Sequence, residues 1–150
     1  MVNISTVGND QIVAEMTIEA SPETVFSALT DPQKLKAWWG DEEKGYRTEK
    51  WTIDLRVGGK WRGEGKGANG EPFLVEGEYV EIDPPRILAY TWRPSWVETS
   101  VTTVRFVLTA KNNGTHLVMT HSGFAGNEKA IQAHQGWPQV LGWLKTYSEA

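Results

Sequence analysis

"VTTVRFVLTAKNNGTHLVMTHS", Val101 to Ser122, decides the architecture. In its first half Val104, Phe106 and Leu108 fall on one side, opposite Thr103, Arg105 and Val107. In its second half Leu117, Met119 and His121 share a side. A period of two is the repeat of a strand, whose successive side chains point to opposite faces. Asn113-Gly114 lies between the halves and reads as a tight hairpin turn. Two strands joined so closely run antiparallel, because a parallel pair needs a crossover of a dozen residues or more.

The same grammar extends upstream. "RILAYTWR" is a strand with Leu88, Tyr90 and Trp92 on one side, and Pro84-Pro85 before it imposes a turn. "EPFLVEGEYVEI" precedes that turn, with either Phe73, Val75 and Tyr79 or Leu74, Val80 and Ile82 on the inner face. Asn69-Gly70 marks another hairpin. Beyond it "GGKWRGEGKG" and "YRTEKWTIDLRV" pair near Gly58-Gly59. Consecutive strands with short turns make a meander rather than βαβ units. On "GGKWRGEGKG", Trp61, Gly63, Gly65 and Gly67 share one side. Glycine weakens a strand, so that bare strip reads as a twisted edge, a bend, or room for another body.

Helical signals flank the meander. "DQIVAEMTIE" (10–19) is a first strand, and "ASPETVFSALT" follows, with Ser21 as N-cap and Pro22 in the first turn. "TDPQKLKAWWG" repeats the pattern with Asp31, Pro32 and a terminating Gly40. Downstream, "NEKAIQAHQGWPQVLGWLKTYSEA" (127–150) sets Ile131, His134, Trp137, Leu141 and Leu144 on one helical stripe, broadened by Val140, Trp143 and Tyr147. Pro138 inside a helix would cost about 3 kcal/mol, so with Gly136 a kink or break is expected near 136–138. The expected fold is α+β: a curved antiparallel sheet of six or seven strands around a long C-terminal helix, with two short helices after the first strand. A single domain over 1–150, with an ordered core from 12 to 148, accommodates it.

Composition narrows the function. A net charge of −4 argues against general nucleic-acid binding, which needs a basic surface. The absence of cysteine excludes disulfides and suits a reducing cytoplasm. No stretch reads as a signal peptide or reaches the ~20 apolar residues of a membrane span. Tryptophan is abundant, at 38, 39, 51, 61, 92, 96, 137 and 143. Each buried indole contributes about 4–6 kcal/mol as an upper bound, and a domain of this size does not need eight of them to fold, so some are expected to line a space rather than fill one. Inward-facing Trp61, Tyr90, Trp92, Phe106, Met119 and His121, with His134, Trp137 and Leu141 from the helix, make a stiff aromatic surface. That surface suits an apolar or aromatic small molecule, and it equally suits a filled core. Adjacent indoles at Trp38 and Trp39 stand about 100° apart on a helix. One is expected to pack under the first helix and the other at a cavity entrance, where Gly40 and the 41–46 loop can move.

Other chemistry is poorly represented. His116 and His121 lie on opposite faces of one strand, and no histidine spacing suits a metal. His121 and His134 can meet across the interior, and His121 is a chemically possible acid or base. "DEE" at 41–43 reads as a solvated loop and Asp54–Arg56 as a structural ion pair. No nucleophile-elbow motif or dinucleotide fingerprint is present.

"SPETVFSALTDPQKLKAWWG", "DLRVGGKWR", "GEYVEIDPPRILAYTW" and "GWPQVLGWLKTY", in this order, resemble the activator of Hsp-90 ATPase homologue-like family of the START-like (SRPBCC, birch-pollen-allergen-like) superfamily. The resemblance spans about 12–148. It implies a helix-grip fold with a cavity between sheet and last helix, and ligands such as lipids, sterols, polyketides or hormones in superfamily relatives. A minority of those relatives are cyclases or dehydratases. The co-chaperone activity behind the family's name belongs to longer proteins with a further N-terminal domain, so it does not transfer directly. The expectation is a cavity-binding protein without cofactor or metal, monomeric or homodimeric. Its alternatives are an enzyme using His121 and a module contacting a chaperone.

Overall fold

The computed structural model describes residues 3–7, 10–41, 46–67, 69–95 and 101–150. Strands β1 (Asn3–Val7) and β2 (Gln11–Ile18) precede helices α1 (Pro22–Thr30) and α2 (Pro32–Trp38). Seven strands follow: β3 (Gly40–Asp41), β4 (Tyr46–Ile53), β5 (Lys60–Lys66), β6 (Pro72–Asp83), β7 (Ile87–Pro94), β8 (Thr102–Lys111) and β9 (Gly114–Ser122). Helices α3 (Glu128–Ala133) and α4 (Trp137–Glu149) close the chain. All strand pairs are antiparallel, in the order β1-β2-β9-β8-β7-β6-β5-β4-β3.

The α+β helix-grip arrangement is as the sequence implies, with nine strands where six or seven were expected. The additions are the short β1, which pairs with β2, and the two-residue β3, too brief for any periodicity to register. The two short helices therefore follow the second strand. The last helix breaks where Gly136 and Pro138 predict. Pro138 lies in the first turn of α4, where its missing N–H costs nothing. The β8–β9 turn is displaced by one residue from the expected position. Asn112 and Asn113, both at positive φ (48° and 67°), are the turn residues, and Lys111 pairs with Gly114. Gly114 is the first residue of β9, where a Cβ would lie 2.6 Å from the Ile18 carbonyl oxygen.

Side chains of Asp31, Ser21 and Asn127 set the helix boundaries. Ser21 accepts from the Thr24 N–H at 3.2 Å and Asn127 from that of Ala130 at 3.1 Å. Asp31 closes α1 by donating its N–H to Ser27 and opens α2 by accepting from the Gln33 N–H. The Trp38 indole donates to the Ala28 carbonyl at 2.9 Å and ties α2 back onto α1.

Alternation buries one sheet face throughout. Leu88, Tyr90 and Trp92 of β7, Val104, Phe106 and Leu108 of β8, and Leu117, Met119 and His121 of β9 all point inward. On β6, Val75 and Tyr79 are the buried set. The outer face carries cross-strand ion pairs such as Lys60–Glu78 and Arg105–Glu81, worth at most about 1 kcal/mol each. Asp54–Arg56 is likewise an exposed pair in the β4–β5 connection.

The β5 glycines have a packing explanation. β5 is interior to the sheet, between β4 and β6. A Cβ on Gly63 would lie 2.8 Å from the Trp51 ring, and one on Gly65 equally close to the Phe73 ring. The bare strip is thus a pair of sockets for rings from the flanking strands. On α4, by contrast, the Ser148 hydroxyl is buried without a partner. Ser148→Ala removes that unsatisfied group and improves helix propensity. A gain of about 1 kcal/mol is expected, read in thermal unfolding as a Tm rise of about 2–4 °C; a lower Tm would show that the hydroxyl is bonded.

Candidate functional site

The interior between sheet and C-terminal helices is a continuous lattice of rings. Trp39 is its hub, with ring centroids 5.2 Å from Trp38, 5.3 Å from Trp51 and 6.2 Å from both Trp92 and Trp137. Trp51 stacks on Trp61 at 6.2 Å, and Trp61 meets Tyr90 edge-on at 4.8 Å. Offset and edge-on pairs at these distances each add about 0.5–1.5 kcal/mol beyond burial.

Among the described residues, an open pocket and a smaller void border the lattice. The first, about 80 Å³, lies at the α3–α4 break and is walled by Trp39, Trp92, His134, Trp137 and Val140. The second, about 10 Å³, lies under α1 and α2 among Trp39, Trp51, Trp61, Tyr79 and Tyr90. Trp39 is the one residue common to both linings. Of the residues singled out from sequence, Trp39, Trp92, His134 and Trp137 converge on the first void, and Trp61 and Tyr90 on the second. Phe106, Met119, His121 and Leu141 are solid core and line neither. Trp38 is a structural anchor between α1 and α2. Trp51, Tyr79 and Val140 are lining residues that are not among the expected site residues, although periodicity puts Val140 on the helical stripe and Tyr79 in one of two possible inner rows. The signal for Trp51 was the glycine opposite it, since Gly63 is its β5 register partner. The 42–45 segment, with most of "DEE" and the expected mobile loop, lies outside the described residues.

A hydrogen-bond network joins sheet to helices beside the larger void. The Trp137 indole N–H donates to His121 Nδ1 at 3.1 Å, and His121 Nε2 is 2.7 Å from the Thr102 hydroxyl. The Thr102 hydroxyl donates to the Trp92 carbonyl. The Trp92 indole N–H donates to His134 Nε2 at 2.9 Å, and His134 Nδ1 faces the Ala130 carbonyl at 2.6 Å. An indole N–H can only donate, so His121 Nδ1 and His134 Nε2 are acceptors. Their other nitrogens carry the protons, to Thr102 and Ala130 respectively. Both imidazoles are therefore neutral, and five hydrogen bonds join the six residues in turn.

Burial reinforces this state. Desolvation, with the neighbouring His134 adding to it, pushes the His121 pKa down to about 2. Desolvation also lowers His134, against the opposing Ala130 hydrogen bond. The two rings do meet, with centroids 4.8 Å apart, yet both His121 nitrogens are engaged and none is open to a substrate. Among the described residues no group of three histidines or carboxylates could hold a metal. His116 sits on the outer face near Glu15. Burial raises the phenols of Tyr79 and Tyr90 well above their ordinary range, with Tyr79 adding to the rise at Tyr90, so both stay protonated. Trp51 and Trp61 differ from the histidine network: their indole N–H groups are buried with no partner.

A curved antiparallel sheet closed over C-terminal helices around a ring-lined interior defines a helix-grip protein of the START-like superfamily. The chain belongs to the family described as Activator of Hsp90 ATPase homolog 1-like protein, which it matches over residues 19–149. Among solved structures it is similar to a Rhodobacter sphaeroides protein, at 19% identity and TM-score 0.83, covering 99% of this chain and 95% of that one. It is also similar to a Chromobacterium violaceum protein, at 25% identity and TM-score 0.78 over 93% and 97% of the two chains. CalU16 from Micromonospora echinospora shares 21% identity, with TM-score 0.71 over 99% and 83%. These likenesses are of fold. No curated protein matches the chain. No helix among the described residues is long and apolar enough to cross a membrane.

The neutral histidines have a pH consequence. Unfolded, each titrates near 6.5. Folded, each binds its proton only at lower pH, so unfolding takes up protons below about pH 6.5. Stability is whole above that value and falls as pH drops toward the folded pKa, by up to about 1.4 kcal/mol per pH unit for each imidazole. Urea unfolding at pH 7.5, 6 and 5 should show this loss, flattened in His134→Gln and further in the His121→Gln/His134→Gln pair. Parallel slopes in all three proteins would refute the neutral pair.

Proposed function

We propose that the protein binds a small apolar or aromatic molecule between its sheet and its C-terminal helices, held against Trp39, Trp92 and Trp137. The observation that carries this reading is the solvent-open pocket of about 80 Å³ at the helix break, walled by the rings of Trp39, Trp92, His134 and Trp137. A pocket open to solvent and walled by indoles offers a guest apolar surface to bury. An engineered cavity of about 150 Å³ accommodates benzene. A ring-sized guest here therefore extends out through the pocket's open side, while the pinned helix ends hold the walls in place.

The family and its fold support ligand binding in this coarse sense. The alternatives draw less support. His121 as acid or base requires a nitrogen and a proton that its surroundings withhold. A partner contacted through exposed indoles is not favoured by the seven described tryptophans, all buried or half-buried. Trp96 lies outside the described residues.

Titration with indole and with benzene, followed by tryptophan fluorescence and by NMR, tests the proposal. Saturable binding is expected with dissociation constants on the order of 0.1–1 mM, the range open to guests of six to nine heavy atoms. Trp38→Phe should lower stability while leaving the affinity of the folded protein within about threefold. Trp39→Leu should change affinity tenfold or more. No saturation by either guest, or equal affinities in both variants, would dismiss the site.

A further inference from the structure

The two halves of the aromatic interior differ in how their polar groups are treated. Beside the larger void every polar ring atom of the histidine network has a partner. Under α2 the Trp51 and Trp61 indole N–H groups have none, although Trp61 is only 4% exposed. A buried donor left unpaired is destabilising, and native proteins rarely keep two in one cluster without a reason. These two rings, with the phenols of Tyr79 and Tyr90, surround the smaller void. Its remaining lining, beyond Trp39, is aliphatic: Leu29, Leu35 and Ile53. Two rings with unpaired indole N–H groups and two protonated phenols thus line the chamber, with no carboxylate, amide, imidazole or cation among its lining residues. Its volume of about 10 Å³ is near the least that admits a water-sized group.

Building on the binding reading above, we propose that the ligand is a neutral aromatic or apolar carbonyl compound (a ketone, ester or amide) whose oxygen is received in this chamber. The oxygen supplies the acceptor that Trp51 and Trp61 lack, and one atom of that size matches the space. A carboxylate is disfavoured, because no cation lines the chamber to offset its desolvation. The ring of the same molecule occupies the larger void. Trp39 lines both spaces, and in the bound state its indole turns so that ring and oxygen are held in one cleft.

Acetophenone, ethylbenzene and benzoate share a ring of one size and differ in the oxygen. Each is titrated into the full chain, with ligand binding followed by NMR and the indole N–H resonances of Trp51 and Trp61 assigned through Trp→Phe variants. Acetophenone should bind at least tenfold more tightly than ethylbenzene and move both indole resonances downfield, with benzoate weakest. Tyr90→Phe, which keeps the ring, and Trp61→Phe should each shrink the preference for acetophenone to about threefold or less. Equal binding of acetophenone and ethylbenzene would overturn the carbonyl assignment and leave the apolar site standing. Tightest binding by benzoate would overturn the neutral-oxygen assignment. A more stable Trp61→Phe with its preference unchanged would mark the unpaired N–H as merely a cost. Binding by none of the three would remove both this inference and the binding reading.

Discussion

The structure depends on the hydrogen bonds that pass from Trp137 and Trp92 into the two buried histidines. A helix lying on a sheet is usually held by apolar contact alone, which is strong but does not fix register. Here two indole donors and two imidazoles add direction. His134 ends α3 by turning its Nδ1–H onto the Ala130 carbonyl, and it reaches the sheet through Trp92 with its other nitrogen. Trp137 opens α4 and reaches His121 on β9. The break between the two helices is therefore a position pinned from both sides, and the larger void sits at that position. Moving either indole would leave a buried nitrogen unpaired, which limits how α3 and α4 can shift independently.

Size complementarity builds the rest. Rings as large as indole cannot pack on a sheet whose every position carries a side chain. β5 solves this by omitting side chains where Trp51 and Phe73 lean across it. The cost of strand glycines, roughly 1 kcal/mol each, is offset by the apolar area that the half-buried Trp51 and Phe73 rings cover. Trp39 is placed by different means. Its backbone ends α2, and its carbonyl accepts from the buried Thr48 hydroxyl at 2.6 Å, fixing the chain at β4 while the ring reaches both voids.

Much of this was legible in the sequence because it is periodic. The inward rows of β7, β8 and β9, the caps at Ser21 and Asp31, and the break signalled by Gly136 and Pro138 all follow from spacing and backbone chemistry. β1 and β3 were not legible, being too short for alternation to register. The one-residue shift at Asn112–Asn113 escaped because Asn tolerates positive φ and competes with glycine for the turn. For the site, sequence could place aromatic groups on one face but could not divide them. Phe106, Met119 and Leu141 share the periodicity of Trp92 and Trp137, yet they pack solidly while the others border a gap. That division depends on three-dimensional fit between non-consecutive elements, which a strand repeat does not encode. Thr102 was missed for a related reason: its role is set by His121 across the β8–β9 ladder, and nothing in its own neighbourhood announces it.

The same division separates polar groups that are satisfied from those that are not. His121 was the conspicuous polar residue on an apolar row, and its chemistry near neutrality invited a role in binding or catalysis. In the fold it is the most thoroughly committed group, with a donor on one nitrogen, an acceptor on the other, and no exposure. A group so committed stabilises one arrangement and has nothing left to exchange with a guest. The groups with capacity to spare are the indole N–H atoms of Trp51 and Trp61, which look like ordinary core tryptophans in the sequence. Unsatisfied capacity, rather than reactivity of the side-chain type, is what marks the polar end of this interior. Trp39 lines both that end and the pocket at the helix break.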